Sequence, residues 1–221
     1  MIERSTLIVE GLLALRMHRL AAARAGTSGR EIITIPLLAA RLAGGFVAPV
    51  GTDILYPVIQ KVLASGGFRD IGPVAGLPGL PRAVLQSLDA AWRADIDLYS
   101  LPGEVTRFAD LYLLETRIRD QLPPSRRLPR DLRDDAIARV SLSKLLLGRV
   151  TLSGIVEIDT VWRPLLNAIA QHTEVVWNLP AHVEHSWFNG ATHRRGPSAP
   201  ARLVAEVSAD PKSEVVEAQL D

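Results

Sequence analysis

The order of apolar and polar residues changes twice along this 221-residue chain. At the start, a short apolar run over residues 6–9 predicts a buried strand, and apolar residues at helical spacing over 12–25 predict an amphipathic helix. A β-branched run over 31–35 predicts a second strand, and Pro36 opens a helix over 37–42, because proline suits the first helical turn. In the first helix we expect the arginines to face solvent and four leucines to face the core, namely Leu12, Leu13, Leu15 and Leu20.

The middle of the chain, residues 51–147, has several segments with helical spacing and no segment that indicates a strand. Helices are predicted over 53–64, 81–95, 102–121 and 132–147, the last of which is one helix or two. Paired glycines at 66 and 67, a turn-rich stretch over 72–81 and paired prolines at 123 and 124 separate them. We therefore interpret this part as a helical subdomain.

Strands alternate with helices again from residue 148 onwards. Strands are predicted over 150–158, 174–179 and 201–207, helices over 160–170 and 211–220, and a polar loop over 180–200. Strands that alternate with helices indicate a parallel sheet. The prediction is an α/β domain made of residues 1–50 and 148–221, with the helical subdomain 51–147 inserted into it.

The composition narrows the possible classes of function. The net charge is +1, so no overall basic field favours nucleic acid, and the lack of cysteine excludes disulfides and thiolate metal sites within these residues. The first residues lack the pattern of a signal peptide, and the most apolar stretch, 32–50, is interrupted by proline, arginine and two glycines. We expect a cytoplasmic protein that has no membrane partner.

The first strand-to-helix turn lies where an α/β protein usually has a phosphate-binding loop. A working loop would hold Gly-Lys-Ser/Thr, with the lysine on the phosphates and the hydroxyl on magnesium. Here Gly11 is followed by leucines, and the first lysine is Lys61. Further along, Glu157 and Asp159 are either magnesium ligands or, for Asp159, the cap of the next helix. The pattern predicts the frame of a nucleotide-binding domain without its chemistry, and hence no cofactor unless an atypical site binds ATP and Mg²⁺.

Arginines and one tryptophan are the candidates for contact with DNA. The first group is Arg126, Arg127 and Arg130, whose guanidinium groups suit phosphates. Interleaved aspartates leave a second interpretation, a solvated face of mixed charge. The second group lies in the polar loop, where a ring could stack on a base beside two cations; it consists of Trp187, Arg194 and Arg195.

Two further groups of residues could suggest a metal site or a nuclease motif, but we assign neither role to them. His182, His185 and His193 lie in the polar loop without cysteine or regular ligand spacing, so we interpret them as surface residues, not zinc ligands. The Asp-Pro-Lys run at 210–212 superficially resembles part of a nuclease motif, but its proline disrupts strand pairing and suits the start of a helix.

Several segments together resemble the helicase-like N-terminal half of AddB-type subunits of bacterial helicase–nucleases, in the UvrD-like superfamily. The run REIITIPLLAARLAGGF at 30–46 resembles the strand and helix that follow the nucleotide loop in that family. Later matches are LPG at 77–79, AAWRA at 90–94, VWRPLL at 161–166, SWF at 186–188 and ADPKSEVV at 209–216. The resemblance covers nearly the whole chain.

This resemblance implies a RecA-like motor domain that is inactivated and is interrupted by a helical subdomain. Gly11, Glu157 and Asp159 would then be vestiges of a nucleotide site. The intact family member processes DNA ends in double-strand-break repair, with an AddA-like motor partner and a PD-(D/E)XK nuclease domain. We expect a non-catalytic fragment that binds DNA or an AddA-like partner. The alternatives are an ATPase with an atypical site and a protein-interaction module that uses exposed apolar surface.

Overall fold

The computed structural model describes residues 4–101, 105–179 and 186–188, together with the backbone of 192–195. The predicted strand 201–207 and the predicted helix 211–220 lie outside the described residues, as does the Asp-Pro-Lys run. In the part of the chain that is described, no helix is long and apolar enough to cross a bilayer.

A parallel sheet lies at the centre of the fold and confirms the predicted α/β class. The strands are β1 (Ser5–Ile8), β2 (Arg30–Ile33), β3 (Ala48–Pro49), β4 (Arg126–Arg127), β5 (Arg149–Ser153), β6 (Val175–Leu179) and β7 (Thr192–Arg195). Within the described residues, the main sheet has the order β2-β1-β5-β6-β7, and every pair in it is parallel. Counted along the chain this is the order 2-1-3-4-5, which is common among doubly wound α/β domains. The finer RecA-like assignment stays a prediction.

The helices overlap the segments predicted to be helical. Those of the described residues are α1 (Gly11–Arg24), α2 (Ile35–Leu42), α3 (Thr52–Ala64), α4 (Leu80–Arg93), α5 (Thr106–Gln121), α6 (Pro129–Ile137), α7 (Ser143–Leu147) and α8 (Arg163–Ala170). Proline lies in the first turn of α2, α4, α6 and α8, where its missing N–H has no helical partner to lose.

One face of the sheet carries the larger hydrophobic core. Side chains alternate between the two faces of a strand, and Ile8, Leu152 and Trp177 share the face that packs against α2, α6, α7 and α8. Leu38 of α2 and Leu132 of α6 are completely buried in this core. The sequence segments on either side of the predicted insertion are therefore joined by one continuous core.

On the opposite face of the sheet, α1 buries little. The small cluster beneath it consists of Leu7, Val9, Leu15 and Ile32. The prediction that Leu12, Leu13 and Leu20 face the core is wrong, because these side chains are 76%, 74% and 52% exposed. Apolar residues occur all around this helix, so their spacing does not select one face.

The segment between the two halves of the α/β part has a core of its own. It contains buried side chains from α3, α4 and α5, among them Ile59, Leu88, Leu114 and Ile118. In contrast, α6 and α7 place Leu132 and Leu147 in the core of the sheet. The boundary of the inserted subdomain at residue 147 stays a prediction.

Three strand predictions need correction. β4 lies in the segment expected to hold no strand, where it pairs with β3 over only two residues, too few to show alternation. β7 lies in the stretch predicted to be a loop and pairs with β6. β5 ends at Ser153, five residues before the predicted end, because Gly154 takes a left-handed backbone conformation with φ +69° and interrupts the strand.

Candidate functional site

The carboxyl ends of β1 and β5 lie side by side, because these strands pair directly. In a doubly wound sheet of this order, the crevice beyond these two strands is the usual place for a ligand. A cavity of about 310 Å³ lies there, lined by Val9, Glu10, Gly11, Thr34, Ile35, Pro36, Arg93, Ile155, Glu157, Ile158, Asp159 and Trp162. The fold thus brings together Gly11, Glu157 and Asp159, the three residues interpreted as a vestigial nucleotide site.

The turn between β1 and α1 is very short. β1 ends at Ile8 and α1 begins at Gly11, so only Val9 and Glu10 connect them. Gly11 has φ +74°, and a Cβ at this position would meet no atom within 4 Å, so the backbone conformation accounts for the glycine. A phosphate-binding loop has about four residues between its first glycine and its Gly-Lys pair, and their N–H groups surround the phosphates. A two-residue turn has no room for such a loop.

Most of the charged side chains that line this cavity are acidic. Glu10, Glu157 and Asp159 all border it, and Arg93 is the one basic residue among its described neighbours. Arg93 is itself paired with a carboxylate of its own helix at 3.0 Å. The Glu157 side chain is 79% exposed and lies 3.8 Å from the guanidinium of Arg163. This balance of charge opposes the binding of a phosphate anion.

Asp159 lies at the predicted N-cap position but makes no side-chain cap, and with Glu157 it does not complete a metal site. Asp159 precedes the 3₁₀ turn Thr160–Trp162, but its side chain makes no capping hydrogen bond. Only its backbone carbonyl contributes, by accepting from the N–H of Trp162 at 3.0 Å. Across the described ranges, no three His, Asp or Glu side chains lie close enough together to hold a metal ion.

The first group of DNA candidates is already engaged within the protein. Arg127 pairs with Asp135 at 3.1 Å and Arg130 pairs with Asp95 at 3.1 Å. Arg126 donates to a backbone carbonyl of β3 at 3.4 Å. This surface therefore carries mixed charge, as in the second interpretation. A phosphate would have to compete with carboxylates for Arg127 and Arg130.

Trp187, from the second group, lies in an aromatic cluster. Its ring centroid is 5.6 Å from that of Trp177 and 5.3 Å from that of Phe188. The guanidinium carbon of Arg163 lies 5.0 Å from the centroid of the Trp187 ring, so one ring face already has a cation against it. Arg194 and Arg195 belong to β7, whose side chains lie outside the described part, and so do His182, His185 and the side chain of His193.

A second cavity, at the amino ends of the strands, has no counterpart in the sequence predictions. It measures about 650 Å³, and its basic lining residues are Arg4, Lys144, Arg149 and His172. Arg149 is bound to both carboxylate oxygens of Glu174, at 2.8 and 2.7 Å. These residues come from distant parts of the chain, so no local motif signals the cavity, and only the folded arrangement of strands and helices brings them together.

Comparisons with protein-family models and with curated proteins find no match to this chain. The resemblance to AddB-type subunits depends on its own sequence segments alone.

Proposed function

We propose that this chain is a non-catalytic, helicase-like scaffold that takes part in DNA-end processing during double-strand-break repair, as the N-terminal region of an AddB-type subunit does. In this proposal, residues 1–50 and 148–221 form a RecA-like domain and residues 51–147 an inserted helical subdomain. Its partners are DNA and an AddA-like helicase–nuclease subunit. It hydrolyses no ATP and cleaves no DNA.

The observation that carries the non-catalytic part of the proposal is the two-residue turn between β1 and α1. The loss of a lysine alone would leave a loop that still surrounds phosphate with backbone N–H groups. Here the loop itself has no room, and Glu10 occupies the position just before the helix. The site therefore lacks both the anion cradle and the loop lysine with which such a domain binds a nucleotide.

The floor of the crevice supports the same proposal because it is packed as part of the core. Ile155, Ile158 and Trp162 are 3%, 2% and 6% exposed. The indole N–H of Trp177 donates to the carbonyl of Ile155 at 2.9 Å and holds the segment after β5 in place. The crevice residues thus stabilise the sheet, as expected of a fold kept as a scaffold.

Titration with a fluorescent ATP analogue in the presence of Mg²⁺ tests the absence of a nucleotide site. We expect no saturable signal from the wild-type chain, and the same flat response from Glu157→Gln. An ATPase with an atypical site is the competing proposal. Micromolar binding that requires Mg²⁺ and is abolished by Glu157→Gln would contradict the scaffold proposal and establish the alternative.

The assignment of partners is tested by co-expression with an AddA-like subunit from the same source. We expect the two chains to purify together through a gel-filtration step. We also expect salt-dependent binding of forked DNA that weakens when Arg126→Ala and Arg127→Ala are combined. Each lost phosphate contact should reduce the slope of log K against log salt concentration by about 0.9. A pair that does not associate, together with an absence of DNA binding at low salt, would contradict the repair role.

A further inference from the structure

The outward face of α1 is apolar, although outward faces of surface helices are ordinarily polar. Leu13, Met17 and Leu20 follow one another at i, i+4 and i+7, and they are 74%, 63% and 52% exposed. At about 3.6 residues per turn, this spacing places the three side chains in one row along the helix. We call this row, with the exposed Leu12 beside it, the α1 ridge.

Positive charge accompanies the α1 ridge. α1 contains no Asp or Glu from Gly11 to Arg24. Arg16 lies between Leu12 and Leu20, one helical turn from each, and Arg24 follows Leu20 by one turn. Among the described residues, neither Arg16 nor Arg24 has an ion-pair or hydrogen-bond partner, whereas most arginines of α5 and α6 are paired. The ridge therefore combines apolar surface with uncompensated cations.

We propose that the α1 ridge is the docking site for an amphipathic helix of a partner protein, one whose apolar stripe is flanked by Asp or Glu. Side chains at i, i+4 and i+7 form a seam one residue wide, which suits packing against a second helix. The carboxylates of the partner would pair with Arg16 and Arg24. This proposal deepens the scaffold role and depends on it only for the expectation of a protein partner.

Other occupants fit the α1 ridge less well. A second copy of the chain would bring Arg16 and Arg24 against the same arginines, which repel one another. A bilayer would need a wide apolar face, but Arg16 interrupts the row of Leu12 and Leu20. DNA would meet an apolar row between the two cations, and apolar side chains gain nothing from phosphate.

The test selects ligands from a displayed library of helical peptides on the immobilised full chain. The peptides have an apolar stripe at i, i+4 and i+7, and their flanking positions are free to be acidic, neutral or basic. We expect the enriched peptides to carry an excess of Asp and Glu at the flanks. Their Kd should rise at least about tenfold for Met17→Glu and for the pair Arg16→Glu and Arg24→Glu.

The matched control is Leu77→Glu, which places the same charge at another exposed leucine, 58% accessible, far along the chain from α1. We expect Leu77→Glu to bind the selected peptides as the wild type does. Met17→Glu should melt within a few degrees of the wild type, since the side chain it replaces is exposed. A large fall in melting temperature would mean that the chain itself covers the ridge, and would overturn the proposal.

Further outcomes overturn the proposal in distinguishable ways. An absence of enriched peptides, or flanks that are neutral or basic, contradicts the stated partner chemistry. Self-association lost in Met17→Glu identifies a second copy as the occupant, and binding to phosphatidylserine vesicles lost in the same variant identifies a membrane. If the chain selects acidic-flanked helices and also binds Mg²⁺–ATP, only the scaffold proposal fails. If it does neither, only the docking proposal fails.

Discussion

α1 and α2 follow neighbouring parallel strands through similarly short turns, yet they differ sharply in what they bury. α2 has Leu38, Ala39 and Leu42 completely buried in the sheet core. α1 has Leu15 as its one buried residue, and its other large apolar side chains lie open to solvent. The difference shows that apolar content alone does not define a core. Leu38 and Leu42 of α2 stabilise the fold, whereas most leucines of α1 stay exposed to solvent.

The largest effect on stability should come from truncating a buried leucine of α2, compared with the same truncation of an exposed leucine of α1. Leu38→Ala removes a fully buried side chain and should lower the free energy of unfolding by about 2–5 kcal/mol. Leu13→Ala, the matched control, should change it by less than about 0.5 kcal/mol. Urea unfolding followed by circular dichroism measures both. Similar losses for the two variants would show that α1 also belongs to the core.

The same comparison applies to two carboxylates, one buried and one exposed. Asp110 of α5 is 4% exposed and accepts hydrogen bonds from the backbone N–H groups of Arg69, Asp70 and Ile71 at 3.0, 2.8 and 2.9 Å. Asp110→Asn replaces one of its acceptor oxygens by a donor, so we expect a loss of about 1–3 kcal/mol in the free energy of unfolding. Glu157→Gln, at an exposed position, should be neutral within about 0.5 kcal/mol. A neutral Asp110→Asn would contradict the structural role of these bonds.

Asp110 should also make the stability of the protein depend on pH. Burial alone would raise the pKa of Asp110, but the N–H donors of Ile71, Arg69 and Asp70 outweigh it and hold this pKa below its ordinary value. A lowered pKa in the folded state stabilises the protein above the ordinary pKa, and this contribution is lost as the pH falls through the folded value. Unfolding midpoints measured across the acid range should therefore fall more steeply for the wild type than for Asp110→Asn. Equal slopes would exclude this contribution.

Most elements could be predicted from the sequence because their signals are local. β1 and β2 are short apolar runs, and α2, α4 and α5 have helical spacing on one side. The convergence of Gly11 with Glu157 could also be predicted, because carboxyl ends of parallel strands meet at one edge of a sheet. What could be predicted of the site was thus its place and its missing lysine.

The remaining features depend on distances that no local pattern encodes. α1 has leucines on several sides, so the sequence gives no preference for the face that packs. Arg130 and Arg133 pair with Asp95, which lies 35 and 38 residues earlier, and such partners cannot be read from spacing. The end of β5 depends on the conformation of Gly154, and β7 is stabilised by its pairing with β6, which its own polar sequence does not signal.

The central claim is that the short turn after β1, and not one missing side chain, keeps nucleotides from this fold. Leu12→Lys tests it most directly, because it restores a lysine next to Gly11 at a position that is already 76% exposed. Calorimetric titration of this variant with ATP and Mg²⁺ should give no saturable heat, as for the wild type. Saturable, Mg²⁺-dependent binding gained by Leu12→Lys would contradict the claim and show that the site lacked only its cation.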